Sequence, residues 1–135
     1  MAGSFADYLE NAVLNVTFGK TAFTPAASLY VGLSTTTITD AGANITEPSA
    51  GAYARVAIDN NKTTWTTSSG GSISNAITIT FAAATSAWGT VTDIFLSDSS
   101  SAGNIYVYDD LTTSKAVTSG DTVQVVPGDL TINLG

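Results

Sequence analysis

The chain has 135 residues, 11 acidic against 4 basic, a net charge of -7, and neither Cys nor His. That length suits one domain with its own core, and the missing residues exclude disulfides, zinc–thiolate sites, cysteine nucleophiles and a Ser-His-Asp triad. The four cations, Lys20, Arg55, Lys62 and Lys115, are too few for nucleic-acid phosphates or an anionic membrane, so neither is expected as a partner.

The opening residues, Met1 to Glu10, lack a basic stretch and do not read as a secretory signal. No run reaches about 18 apolar residues, so no membrane-spanning helix is expected. Residues 4–15 predict the one helix, within an N-terminal helical segment at 1–19. Phe5, Tyr8, Leu9, Ala12, Val13 and Val16 recur as a single apolar stripe. Ser4 reads as the N-cap, Asp7 and Glu10 suit the positive end, and Gly19 suits the stop. Such a stripe docks on the chain's own sheet or on a neighbouring subunit.

Strands follow. Residues 28–34 form a nearly continuous apolar run, as a buried strand would. Residues 35–51 are a long polar loop, the kind that often carries contacts. Residues 52–58 predict a strand, Asn60-Asn61 a turn, and residues 62–66 a short edge strand around Trp65. Ile73, Ile77, Ile79 and Phe81 alternate with Thr78 and Thr80 on the other face. Residues 90–98 and 105–108 read as a hairpin around a Ser-rich turn. Residues 122–126 and 130–134 are the last two strands, bracketed by Ser119-Gly120-Asp121 and Pro127-Gly128-Asp129. The expectation is an all-β fold: one antiparallel β-sandwich at 1–135, jelly-roll-like, with one N-terminal α-helix.

No credible catalytic set emerges. Asp93, Asp98, Asp109, Asp110, Asp121 and Asp129 could pair across a cleft as glycosidase acids do. Most of them sit beside Gly or Ser at predicted turns, where Asp bonds its own backbone. Asp98 and Asn104 flank a loop that could hold Ca²⁺, but the spacing matches no dedicated site. No metal or cofactor is therefore expected. Arg55 is the only Arg; it pairs within the chain or clamps a partner's carboxylate. Trp65 and Trp88 read as core or interface residues more readily than as sugar platforms. Between Phe81 and Trp88, the small residues Ala82-Ala83-Ala84-Thr85 read as a corner of the sandwich that the indole plugs.

Several segments are more specific: Glu47-Pro48, "GAYARV" at 51–56, "FAAAT" at 81–85 and "WGTV" at 88–91. With the flanking "FADYLENAVLN" and "GNIYVYDDLTTSKAV", they resemble a family of small tailed-bacteriophage structural proteins over nearly all of the chain. Members are often labelled tail fibre-like, and some are similar to the capsid cement (decoration) proteins of cyanophages. The resemblance implies a non-enzymatic virion protein with a jelly-roll-like fold, commonly assembled as a homotrimer. On that reading it is a cement protein assembled in the host cytoplasm. It would sit on the outer capsid surface and stabilise the shell, with the major capsid protein as partner. The alternative it implies is a tail fibre or tail-tip subunit that binds host-surface glycans, for which an exposed Trp65 or Tyr53 beside Asp and Asn would be the mark. Contacts are expected from the N-terminal segment and the long loop with the strand after it: Phe5, Tyr8, Leu9, Glu47, Tyr53 and Arg55.

Overall fold

The structure, a computed structural model, describes residues 2–134. Met1 and Gly135, the ends of the expected 1–135 span, lie outside the described residues. The elements are β1 (Ala2–Phe5), α1 (Asp7–Thr17), β2 (Ser28–Ser34), β3 (Val56–Asp59), β4 (Ser72–Ser74), β5 (Ile79–Thr80), β6 (Gly89–Ser97), β7 (Ile105–Val117), β8 (Gln124–Val125) and β9 (Thr131–Asn133). Seven strands form one curled sheet in the order β3-β2-β6-β7-β1-β9-β4, and β5 and β8 form a second, two-stranded one. The fold is thus all-β and sandwich-like with one N-terminal helix, as expected. The strictly antiparallel expectation needs one correction: β1 runs parallel to β9, while the other pairings among the described residues are antiparallel.

The core is built where the apolar runs predict it. β2 is buried along most of its length because it lies between β3 and β6. Val31 and Leu33 pair in register with Leu96 and Ile94. With Ile79, Phe81, Val91 and Leu130 they are almost fully buried. Each such side chain contributes roughly 1.5–3 kcal/mol relative to an exposed one.

Several segments differ from the sequence expectation; the alternating run at 73–81, for one, splits into β4 and β5, which join different sheets. The helix does not start at Ser4. Residues 2–5 are drawn into the sheet, Ser4 opposite Tyr108 and Phe5 opposite Val107. Ala6 then caps the helix without a side-chain bond, and the Asp7 N–H is satisfied by the Asp40 carbonyl at 2.9 Å. β3 starts only at Val56, because Gly51 and Ala52 both adopt left-handed backbone, φ +67° and +64°. A Cβ on Gly51 would meet the Ser86 carbonyl at 2.5 Å. The edge strand expected at 62–66 is a turn with a single bridge, Trp65 to Asn75. β7 runs 13 residues instead of stopping at Tyr108. Its distal half pairs with β6 through a bulge, Asp93 facing Asp110 and Val91 facing Lys115.

Asn75 locks the β4–β9 end. It is fully buried, donates from Nδ2 to the Ile77 and Val126 carbonyls at 2.8 and 2.9 Å, and accepts the Leu130 N–H at 2.9 Å. Asn75→Ala takes the partner from the buried Leu130 N–H and from the Ile77 carbonyl, at about 1–3 kcal/mol for each group left unsatisfied, while the Val126 carbonyl keeps the Asp129 N–H at 3.1 Å. The expected outcome is a clear drop in thermal midpoint with the same fold by circular dichroism.

Candidate contact surface

The six residues expected to make contacts fall into two groups. Glu47, Tyr53 and Arg55 come together in one. Arg55 donates bidentately to Glu47, Nε to Oε1 at 3.0 Å and Nη2 to Oε2 at 2.9 Å. Its Nη1 donates to the Ser99 and Ala102 carbonyls at 2.8 and 2.9 Å. The guanidinium also lies over the Phe95 ring, 4.9 Å from its centroid. The Arg55 side chain is only 5% exposed. Phe95 in turn covers Gly32, where a Cβ would collide with the ring. The group therefore ties the 35–51 loop, the strand after it and the β6–β7 turn into one piece.

Tyr53 completes this clamp. Its hydroxyl donates to Glu47 Oε1 at 2.7 Å and accepts the Leu33 N–H at 2.9 Å. Burial acts to raise the Glu47 carboxyl, but hydrogen bonds from Arg55 and Tyr53 with the Arg55 charge outweigh it and hold it below its ordinary value. Burial, reinforced by Glu47, holds the Tyr53 phenol well above its ordinary value. Of the two readings of Arg55, the intrachain pair is the one built, with Glu47 as its partner.

Phe5, Tyr8 and Leu9 form the second group. Phe5 and Leu9 line an apolar groove of about 350 Å³ between α1 and the sheet, with Val13, Phe23, Trp65 and Tyr106. Tyr8 stacks on Tyr106 at 5.7 Å between centroids and meets Phe23 edge-on at 6.5 Å. The expected stripe thus does face the chain's own sheet, but loosely: α1 has no fully buried residue.

Neither Trp65 nor Trp88 offers an exposed ring, at 8% and 5% exposure, and the Tyr53 hydroxyl is spent inside. The mark set for a sugar platform at Trp65 or Tyr53 is therefore missing.

The turn reading holds for some aspartates and fails for others. Asp98 closes the β6–β7 turn with two bonds to Asn104, both 2.8 Å, and Asp121 accepts from Thr118. Asp93, within the strand expected at 90–98, sits with Asp109 and Asp110 in the β6–β7 ladder. Asp93 is 1% exposed and accepts the Ile38 N–H at 2.9 Å. The Asp110 carboxyl is raised from its usual 3.8, first by its hydrogen bond with Asp93, then by burial and the Asp93 charge. Asp109 is raised by burial, with the Asp110 and Asp93 charges adding. A raised carboxyl binds protons in the folded chain that the unfolded chain has already released. Its stabilising effect is present below about pH 3.8 and is lost as pH rises through the higher folded value. The thermal midpoint should therefore decline over that window, against the opposing effect of Glu47. Asp110→Asn should flatten the decline, which a pH series of melts will read.

Sequence reasoning missed the outward face of α1. Leu14 and Phe18 on that face are 55% and 80% exposed, and Val16 of the expected stripe is itself 42% exposed. On the same helix Asp7 and Glu10 converge with Asp40, their carboxylate oxygens all within 4.8 Å. The signal was present: Leu14 and Phe18 are apolar yet fall off the stripe.

These features define a sandwich-like β-protein whose best-organised polar groups hold its loops in place, and most of whose exposed large apolar side chains lie on one short helix and its C-cap. The profile of a family described as "Podophage GP4 fiber I protein gp80" matches residues 4–133, and the chain belongs to that family. It is a structural protein of a phage virion. No curated protein matches the sequence closely enough to count as a relative.

Proposed function

We propose that the chain is a non-enzymatic fibre subunit that joins the virion through protein–protein contacts. The observation that carries this is the family match over residues 4–133, whose printed name is that of a fibre protein. The geometry agrees with a contact role. The Arg55 clamp preorganises the loop face, which lowers the ordering cost of binding, and α1 presents unpaired apolar residues.

A second reading, a capsid cement protein seated on the major capsid shell, is favoured by the burial of Trp65 and Trp88. A subunit that holds a shell together needs no sugar platform. Assembly as a homotrimer fits either reading, since repeated weak contacts become strong when linked. Immunogold labelling of purified virions separates the two. Gold confined to the tail or its appendages supports the fibre subunit. Gold spread over the head overturns it in favour of cement.

A further inference from the structure

Asp7, Glu10, Leu14 and Phe18 follow one another at steps of three, four and four residues, so they share one face of α1. That face points away from the groove that Leu9 and Val13 line. Its first turn is acidic and its last is apolar. Phe18, the C-cap residue, is 80% exposed and Leu14 55%.

Asp7 and Glu10 alone would be explained by the positive end of the helix. Asp40 would not: it comes from the long loop, its carbonyl accepts the Asp7 N–H at 2.9 Å, and its Oδ1 accepts the Tyr108 hydroxyl at 2.9 Å. The loop thus brings a third carboxylate to a place where two already repel it. Among the described residues the one ion pair is Arg55 with Glu47, so this trio has no cation of its own. A second copy of a chain at net charge -7 is a poor source of one.

We propose that this face of α1 docks a second protein of the particle, one that presents an apolar socket rimmed by Lys or Arg. Phe18 and Leu14 fill the socket, and the trio meets the cationic rim. The inference rests on the virion reading above and adds the docking face and the chemistry of the partner. Aromatic anchors carry much of the energy of such interfaces, and charge complementarity sets their register and rate.

The test is binding of purified chain to particles assembled without it. Phe18→Ser should weaken binding about tenfold or more, with an unchanged melt because the ring is already exposed. Asp7→Asn with Asp40→Asn should weaken binding at low salt. That loss should vanish near 1 M salt, where screening reaches about 3 Å. If the wild-type chain binds and all variants bind equally, the docking face is overturned while the virion reading stands. If Phe18→Ser converts an oligomer to monomer without changing particle binding, the occupant is a second copy and the proposal is overturned. If the wild-type chain binds no particle, the virion reading fails and the proposal with it.

Discussion

Arg55→Ala should destabilise the fold by about 3–5 kcal/mol, the range seen when one partner of a buried pair is removed. The side chain is 5% exposed and its guanidinium serves Glu47, Ser99 and Ala102 at once. Alanine leaves a partly buried carboxylate without its cation, the Ser99 carbonyl without its donor, the Ala102 carbonyl with only the Ser97 hydroxyl at 3.2 Å, and the Phe95 ring uncovered. Lysine should rescue little, because a single ammonium cannot reproduce the planar fork. Denaturant unfolding reads the effect as a lower midpoint at unchanged slope. A loss under about 1 kcal/mol, the level of an exposed surface pair, would contradict the account of the clamp.

Trp88→Ala should cost a similar amount, about 3–5 kcal/mol, as large aromatic truncations in cores do. The indole is 5% exposed, meets Tyr53 edge-on at 5.2 Å between centroids and Phe81 at 6.3 Å. Its Nε1 donates to the Gly51 carbonyl at 2.9 Å. That carbonyl also accepts the Thr85 N–H at 3.0 Å, so Trp88→Phe leaves it partnered and should cost clearly less than alanine, about 1 kcal/mol for the hydrogen bond plus the smaller cavity left by the lost pyrrole ring. Equal losses for the two variants would mean that the hydrogen bond, not the packing, holds the corner. The small residues before Trp88 fit the same account. The Ala84 N–H donates to the Asp121 carbonyl at 2.8 Å and its own carbonyl accepts from Gly120 at 2.7 Å. The chain there continues along the 118–123 segment, and a bulky side chain at Ala84, 2% exposed, would not fit.

The sequence made local patterns legible and left long-range ones hidden. β2 shows as an apolar run because both of its neighbours bury it, and its bounds at Ser28–Ser34 match the expectation. α1 shows by its stripe, but its start does not. Residues 4–6 fit a helix locally, and only pairing with β7 and β9, over a hundred residues away, holds the preceding segment as a strand. The strand at 105–108 reads as stopping before Asp109-Asp110. In the fold the pair continues β7, because Asp93 and Ile94 face it across the ladder. Glu47, Tyr53 and Arg55 were legible as a group worth attention, yet nothing in their spacing says that they face one another. That depends on the left-handed backbone at Gly51 and Ala52. Phe18 was overlooked because, like Leu14, it falls outside the one apolar stripe that marks the helix.

The central claim is that this chain is a structural component of a virion. The most direct measurement is its distribution across a density gradient of purified infectious particles. The account predicts that the chain bands with the particles at a fixed, multiple copy number per virion. Recovery of the chain only in the soluble fractions, with particles that lack it, would contradict the account.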